Sequence, residues 1–183
     1  QDVYDEFDGG QPGPDAIREF VVSAAERMGL DYEVDDTGNV VVRKGAAEGN
    51  RSTTPTILQS HLDMVQEKNS DVEFDFDTAA IRPVREGDYL TADGTTLGSD
   101  NGIGGATMVA ILEAADLAHG PLEFLFTIDE ETGLTGAGGL GDGLLAGQRL
   151  INLDSEEERV LTIGCAGGAD SHLHLSVERT AVP

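Results

Sequence analysis

The sequence predicts an α/β fold in which a mixed sheet is flanked by helices. Two observations lead to this prediction: helical and strand-like apolar patterns alternate along the chain, and several strand-like runs are almost continuously apolar. With 183 residues, of which 39% are hydrophobic, the chain is long enough to bury a core as one domain.

The first predicted element is a helix over residues 15–28. Pro14 stands near its start and Gly29 is placed to end it. The apolar residues that recur at helical spacing are Ile17, Phe20, Val21, Ala24 and Met28. Next, DYEV and NVVVR flank the turn sequence DDTG, which predicts a β-hairpin.

The remaining elements alternate in the same way. Residues 56–59, 122–128 and 149–153 are predicted as buried strands, and residues 101–115 as a helix rich in small residues. The glycine-rich stretch GLTGAGGLGDGLLAG is predicted as a loop or a short helix.

The charge of the chain is strongly negative. Against 35 acidic residues stand 11 basic ones, so the formal net charge is -24, and Lys44 and Lys68 are the only lysines. Nucleic acids and anionic membranes, which are negatively charged themselves, are therefore not expected as partners. Such an excess repels itself in dilute buffer and is screened in concentrated salt, which predicts a salt-loving source; an ordinary acidic cytosolic protein is the alternative.

Compartment signals are few. The single Cys165 permits no internal disulfide and is predicted as a buried structural thiol in GCAGG. The first residues, QDVYDEFDGG, lack the basic start and apolar stretch of a signal peptide, so a cytoplasmic location is predicted.

Polar side chains follow the predicted strands at the point where each strand ends. TILQ runs into SHLD, LEFLFTI into DEE and RLINL into Asp154, while Asp100 directly precedes the small-residue helix. In open α/β sheets this edge forms the binding crevice. Gathering so many carboxylates there is unfavourable without a cation, which predicts a metal site.

The types of ligand narrow the chemistry. His61 and Asp63 are expected on one side of a strand, where the carboxylate can orient the imidazole; the alternative is a polar strand end facing water. One imidazole with several carboxylates suits zinc, manganese or cobalt in an open catalytic site. Since neighbours in an extended chain point apart, one of Glu130 and Glu131 is expected to bind metal and the other to act as a general base.

Five motifs together resemble a known family. TILQSHLDMV, GTTLGSDNGIG, HGPLEFLFTIDEETG, LINLDSEEE and GCAGG, in this order, are similar to the dinuclear-metal dipeptidases of the aminoacylase and carnosinase superfamily. The resemblance runs from about Val34 to the C-terminus. It implies a zinc-exopeptidase-like catalytic domain, of which residues 1–168 form the N-terminal part, and the first strand of a lid and dimerisation domain at residues 169–183.

The resemblance also implies roles for individual residues. His61 and Asp154 would hold one divalent metal ion, Glu131 the second, and Asp100 both; zinc is expected, with manganese or cobalt as alternatives. Asp63 would orient His61, and Glu130 would be the general base. The peptide bond after Asp100 is expected to be cis.

The resemblance implies hydrolysis of dipeptides, including those with a C-terminal histidine, by a metal-activated water. The full-length family is expected to form homodimers and to take a further metal-binding histidine, with lid residues that bind substrate, from sequence beyond this chain. The alternative is a non-catalytic acidic fragment that binds divalent metal ions without a completed active site.

Overall fold

The computed structural model describes residues 14–155, 157, 159–164 and 173–176. Their elements, in chain order, are α1 (Pro14–Met28), β1 (Asp31–Val34), β2 (Val40–Lys44), β3 (Thr56–His61), β4 (Pro83–Glu86), β5 (Tyr89–Ala92), α2 (Ser99–Glu113), β6 (Leu122–Thr127), α3 (Thr135–Gly138) and β7 (Arg149–Asn152). None of the helices described is long and apolar enough to cross a membrane.

A five-stranded mixed sheet of order β1-β2-β6-β3-β7 forms the centre of the fold. β1 and β2 form the predicted antiparallel hairpin, and β2 continues antiparallel to β6. β3 lies parallel to both β6 and β7, so the carboxyl ends of these three strands meet at one edge. The predicted mixed sheet with flanking helices is confirmed.

One face of the sheet packs against α1 and α2. This face presents an apolar layer to the helices because alternate strand residues point the same way. Its buried cluster consists of Val21, Ala25, Val40, Val42, Leu58, Leu62, Met108, Leu112, Phe124 and Phe126. The helix α1 ends as expected at Gly29, whose φ of 65° suits glycine, with Leu30 N donating to Ala25 O.

The opposite face carries a smaller apolar cluster of Val41, Ile57, Leu125 and Leu144. Beside it lies Glu123, of which 2% is exposed. Its carboxylate accepts hydrogen bonds from Ala146 N and Gly147 N, at 3.0 Å and 2.8 Å, and lies 3.8 Å from the Arg43 guanidinium. This carboxylate therefore holds the end of the glycine-rich stretch against the sheet.

The β1–β2 turn contacts the segment that follows β6. Asn39 is fully buried; its Nδ2 donates to Gly136 O at 2.8 Å, and its Oδ1 accepts from Ile128 N at 3.2 Å. Asp35 Oδ2 accepts a second hydrogen bond from the same Nδ2, at 2.8 Å. One buried amide thus contacts both ends of the segment 128–136.

Several boundaries differ from the predictions. The strand predicted over residues 56–59 extends to His61 as β3, and residues 62–65 that follow are irregular chain. The small-residue helix is assigned from Ser99 to Glu113, with non-helical angles at Asp100 and Asn101. β7 was predicted to be buried, which is wrong, because it lies at the edge of the sheet and all four of its residues are exposed.

Other predictions lie partly or wholly outside the described residues. Cys165 is one of them. Of the predicted first lid strand, 169–183, the described residues 173–176 form no regular element.

The glycine-rich stretch contains the short helix α3 and otherwise loop, as expected. The β4–β5 hairpin was not predicted.

Candidate metal centre

The carboxyl ends of the parallel strands gather the predicted acids around His61. Two groups of side chains have ligand atoms within 4.8 Å of one another: His61 with Asp100 and Glu131, and His61 with Glu130 and Asp154. His61 belongs to both groups because it ends the central parallel strand β3. The structure thus brings together all four residues expected to bind metal; their individual roles stay predictions.

The imidazole of His61 is buried and has a different partner on each nitrogen. Nδ1 lies 2.9 Å from the backbone oxygen of Asp63 and 3.4 Å from its carboxylate. A carbonyl oxygen only accepts, so Nδ1 carries a proton, and a neutral ring presents its lone pair at Nε2. Nε2 lies 3.1 Å from Asp100 Oδ1 and 3.8 Å from Asp154 Oδ2, within the two groups of acids.

The acids around His61 change its affinity for protons. Burial is the largest influence and by itself lowers the pKa. The charge of Asp154, the hydrogen bond with Asp100 and the charge of Asp63 act in the opposite direction and together raise the pKa of His61 above its ordinary value of 6.5. The site therefore favours a positive charge at this position.

Asp63 also holds the turn that follows β6. Its two carboxylate oxygens accept hydrogen bonds from Glu130 N and Glu131 N, each at 3.1 Å. The backbone oxygen of Asp63, rather than its carboxylate, is the nearer partner of His61. Asp63 therefore fixes the position of His61 relative to both glutamates. The prediction had included only a contact between the Asp63 carboxylate and the imidazole.

Glu130 and Glu131 lie in a turn and not in extended chain, so the reason given for their separate roles was wrong. They are nevertheless divided, since Glu131 groups with Asp100 and Glu130 with Asp154. Burial raises the pKa of Glu130; His61 opposes this shift, and the charges of the surrounding acids add to it. A raised pKa suits a carboxylate that takes up a proton near neutral pH.

Asp100 is held at the start of α2 by residues that the sequence patterns did not single out. The Asp100–Asn101 peptide bond is cis, as expected. Asn101 is buried; its Oδ1 accepts from Gly104 N at 3.1 Å, and its backbone oxygen accepts from Ser60 Oγ at 3.2 Å. A Cβ at Gly104 would lie 2.1 Å from Asn101 Oδ1, so a larger residue would displace the Asn101 side chain. In the sequence, the small residues of NGIGG were the signal that could have indicated this close packing.

The side chains at this edge fit a divalent cation. Carboxylates that lie within 4.8 Å of a shared imidazole repel one another unless a positive charge lies between them. One imidazole with carboxylates and no thiolate is a donor set typical of zinc, manganese or cobalt in open sites.

The sequence matches the pattern described as Peptidase family M20/M25/M40 over residues 57–177. The chain belongs to this family. It is 46% identical to the cytosol non-specific dipeptidase of Escherichia coli K12 over 167 residues, which cover 91% of this chain and 34% of that protein. The chain therefore spans about one third of the length of this curated relative.

Two solved peptidase structures share the fold. An aminoacylhistidine dipeptidase from Vibrio alginolyticus superposes with a TM-score of 0.77 at 45% identity, covering 82% of this chain and 31% of that one. A tripeptidase from Staphylococcus aureus superposes with a TM-score of 0.64 at 22% identity, covering 83% of this chain and 41% of that one.

Proposed function

We propose that this chain carries the metal-binding and proton-transferring residues of a metallo-dipeptidase that hydrolyses dipeptides, including those with a C-terminal histidine. The observation that carries the proposal is the position of His61, whose buried imidazole is shared by two groups of acids. The names of the two relatives at 45–46% identity, a non-specific dipeptidase and an aminoacylhistidine dipeptidase, support the substrate class.

Each acid has a distinct role in the proposed site. His61 and Asp154 would hold one divalent ion, Glu131 would hold a second, and Asp100 would serve both. Zinc is the proposed metal, with manganese or cobalt as alternatives. When bound, such ions supply Lewis acidity, which lowers the pKa of a water and polarises the peptide carbonyl.

Glu130 is the proposed general base. Its carboxylate takes a proton from the attacking water and returns it to the leaving amine, for which its raised pKa is suited. Asp63 is a positioning residue, because it holds the backbone of Glu130 and contacts the ring of His61. The carboxylate of Glu130 also lies within 4.8 Å of ligand atoms of His61 and Asp154, and the second experiment below distinguishes a base from a ligand.

The first experiment measures hydrolysis of alanyl-histidine by the chain with added zinc, manganese or cobalt, and again with chelator. Metal-dependent release of free histidine supports the proposal. Metal binding without turnover supports the alternative of a non-catalytic metal-binding fragment, which the chain's span of 34% of its Escherichia coli relative keeps open. A chain that binds none of these metals contradicts both.

The second experiment replaces the proposed base. We expect Glu130→Gln to lower turnover about 10²–10⁴-fold, because the amide cannot take up the proton, while metal affinity stays near that of the parent. The matched control is Glu48→Gln, which makes the same change at an exposed position. Normal turnover in Glu130→Gln shows that another group is the base; lost metal binding shows that Glu130 is a ligand.

We also propose that the protein acts in the cytoplasm and is adapted to high salt. Its similarity to a cytosolic dipeptidase supports the location. The net charge of -24 supports adaptation to salt. A homodimer is proposed for the full-length protein on the basis of the family resemblance.

A further inference from the structure

A row of polar side chains lies directly below His61 and Asp154 on the same face of the sheet. In the parallel pair of β3 and β7, Gln59 is the register partner of Asn152, and the strand pairing ends there. His61 lies two residues further along β3 and therefore on the same face as Gln59, and its Nε2 lies 3.8 Å from Asp154 Oδ2. Beyond the pairing, Leu153 N still donates to Gln59 O at 2.9 Å.

Four hydrogen bonds that involve side chains follow one another in a single direction, from the segment after β7 across β3 to β6. Asp154 N donates to Asn152 Oδ1 at 2.9 Å, and Asn152 Nδ2 donates to Gln59 Oε1. Gln59 Nε2 then donates to Thr127 Oγ1 at 3.0 Å, and the Thr127 hydroxyl donates to Ser60 O at 3.5 Å. We call Asn152, Gln59 and Thr127 the amide row.

The two ends of the amide row determine how its side chains are oriented. The Ser60 carbonyl only accepts, so the Thr127 hydroxyl points its proton there and presents its oxygen to Gln59 Nε2. Gln59 Oε1 is then left for Asn152 Nδ2, and Asn152 Oδ1 for the Asp154 amide, which only donates. Each amide thus has one favourable orientation.

We propose that Asn152 is a positioning residue: it holds Asp154 opposite His61 and thereby sets the metal affinity of the site. This inference rests on the proposed function, which makes Asp154 a ligand. Asp154 lies two residues beyond the last register pair of an exposed edge strand, and the last backbone hydrogen bond between the two strands is that of Leu153 N with Gln59 O. The hydrogen bond from its backbone N–H to Asn152 Oδ1 constrains the backbone of Asp154 directly, and Thr127, which is 3% exposed, supports the row at its buried end.

The test compares three variants of the full 183-residue chain. Asn152→Leu keeps the size of the side chain and removes both hydrogen bonds. Asn152→Ser keeps an oxygen that accepts from the amide two residues on, as serine does in such turns. Asn50→Leu is the matched control, because Asn50 Oδ1 accepts from Ser52 N at 2.8 Å in the same way at an exposed position away from the site.

Two quantities are measured for each variant: zinc affinity, by competition with a chromophoric chelator, and the melting temperature of the metal-free chain. We expect Asn152→Leu to weaken zinc binding about 10–100-fold, as loss of a ligand's supporting partner typically does. Asn152→Ser should recover most of the affinity, and Asn50→Leu should match the parent. All three metal-free melting temperatures should lie within about 4 °C of the parent.

The outcomes distinguish two roles of Asn152: positioning Asp154 for metal binding, or stabilising the edge of the sheet. Equal zinc affinity in Asn152→Leu and the parent overturns the inference and leaves the proposed function intact. A loss of affinity that Asn152→Ser does not recover, or a large drop in the metal-free melting temperature, assigns Asn152 to stability of the sheet edge and also overturns it. A parent chain that binds no zinc overturns the proposed metal site together with this inference.

Discussion

Asp63 and Glu123 are two carboxylates that make the same backbone contacts in different parts of the sheet. Asp63 accepts from the successive amides of Glu130 and Glu131, and Glu123 from those of Ala146 and Gly147. Their side chains are 9% and 3% exposed. Both therefore hold a following loop against the strands.

The two carboxylates differ in the cation beside them. Glu123 lies near the guanidinium of Arg43, which stays charged at all accessible pH values. The negative charge of Glu123 is therefore balanced by a residue of the protein itself. Asp63 lies near His61, which can lose its charge and whose other nitrogen faces two further acids. We propose that the same contact serves stability where the partner charge is permanent, and supports the proposed metal site where it is not.

The sharpest test of this comparison is Asp63→Asn. The amide presents an NH₂ group to one of the two glutamate N–H groups and removes the charge beside His61, so the turn and the ring lose their common support. We expect zinc affinity to fall about 10–100-fold, measured by chelator competition. Asp36→Asn, an exposed substitution in the β1–β2 turn, is the control. Unchanged affinity in Asp63→Asn would separate this carboxylate from the metal site.

The counterpart is Glu123→Gln. Here we expect the free energy of unfolding to fall by about 1–2 kcal/mol, because one buried backbone N–H loses its acceptor, while zinc affinity stays at the parent value. Urea denaturation of the metal-free chain measures the first quantity. Glu113→Gln, at an exposed position, is the control. If Glu123→Gln weakens zinc binding as much as Asp63→Asn does, the two carboxylates do not differ in the way described.

Zinc affinity measured over a pH series tests the titratable partner, His61, since Arg43 stays charged throughout. The acids raise the pKa of His61 above 6.5, so protons compete with metal at His61 from higher pH than at an ordinary histidine. As the pH is lowered, we expect the zinc affinity to begin to fall while the pH is still above about 6.5. Below the pKa of His61 it should fall about tenfold for each pH unit. A fall that begins only well below this value would show that the acids do not act on His61.

The smallest expected effect is that of salt on the melting temperature, and it concerns the net charge of the whole chain rather than Asp63 or Glu123. At about 1 M KCl the screening length is roughly 3 Å, so the self-repulsion of a net charge of -24 is largely removed. We expect the melting temperature to rise by several degrees, roughly 2–4 °C for each kcal/mol gained. Glu123→Gln should show the same rise as the parent. Equal melting temperatures at low and molar salt would contradict adaptation to salt.

The convergence of the site could be predicted from sequence because it depends on strand direction. Residues that follow parallel strands meet at one edge whatever the details of the loops, so His61, the glutamate pair and Asp154 were correctly placed together. The partners of backbone N–H groups depend on loop paths between distant segments. Neither the contact of Asp63 with the glutamate turn nor that of Glu123 with Gly147 has a local sequence signal.

Burial of the strands was predicted less well, for a related reason. An apolar run such as RLINL indicates a strand but not its place in the sheet, and β7 lies at the edge with all four residues exposed. The helix preceded by Asp100 was predicted close to its observed bounds, whereas its non-helical first residues depend on tertiary contacts with Ser60.

The contact of Asn39 with both ends of segment 128–136 has a practical consequence for engineering. A library that varies the β1–β2 turn would act on the glutamate pair although that turn contains none of the proposed ligands, because Asn39 contacts both Ile128 and Gly136. A Cβ at Gly136 would approach Ile128 O to 2.1 Å and Asn39 Oδ1 to 2.7 Å, so a larger residue at this position would break the same contacts. Efforts to alter selectivity should therefore keep Asn39 and Gly136 constant and diversify positions elsewhere.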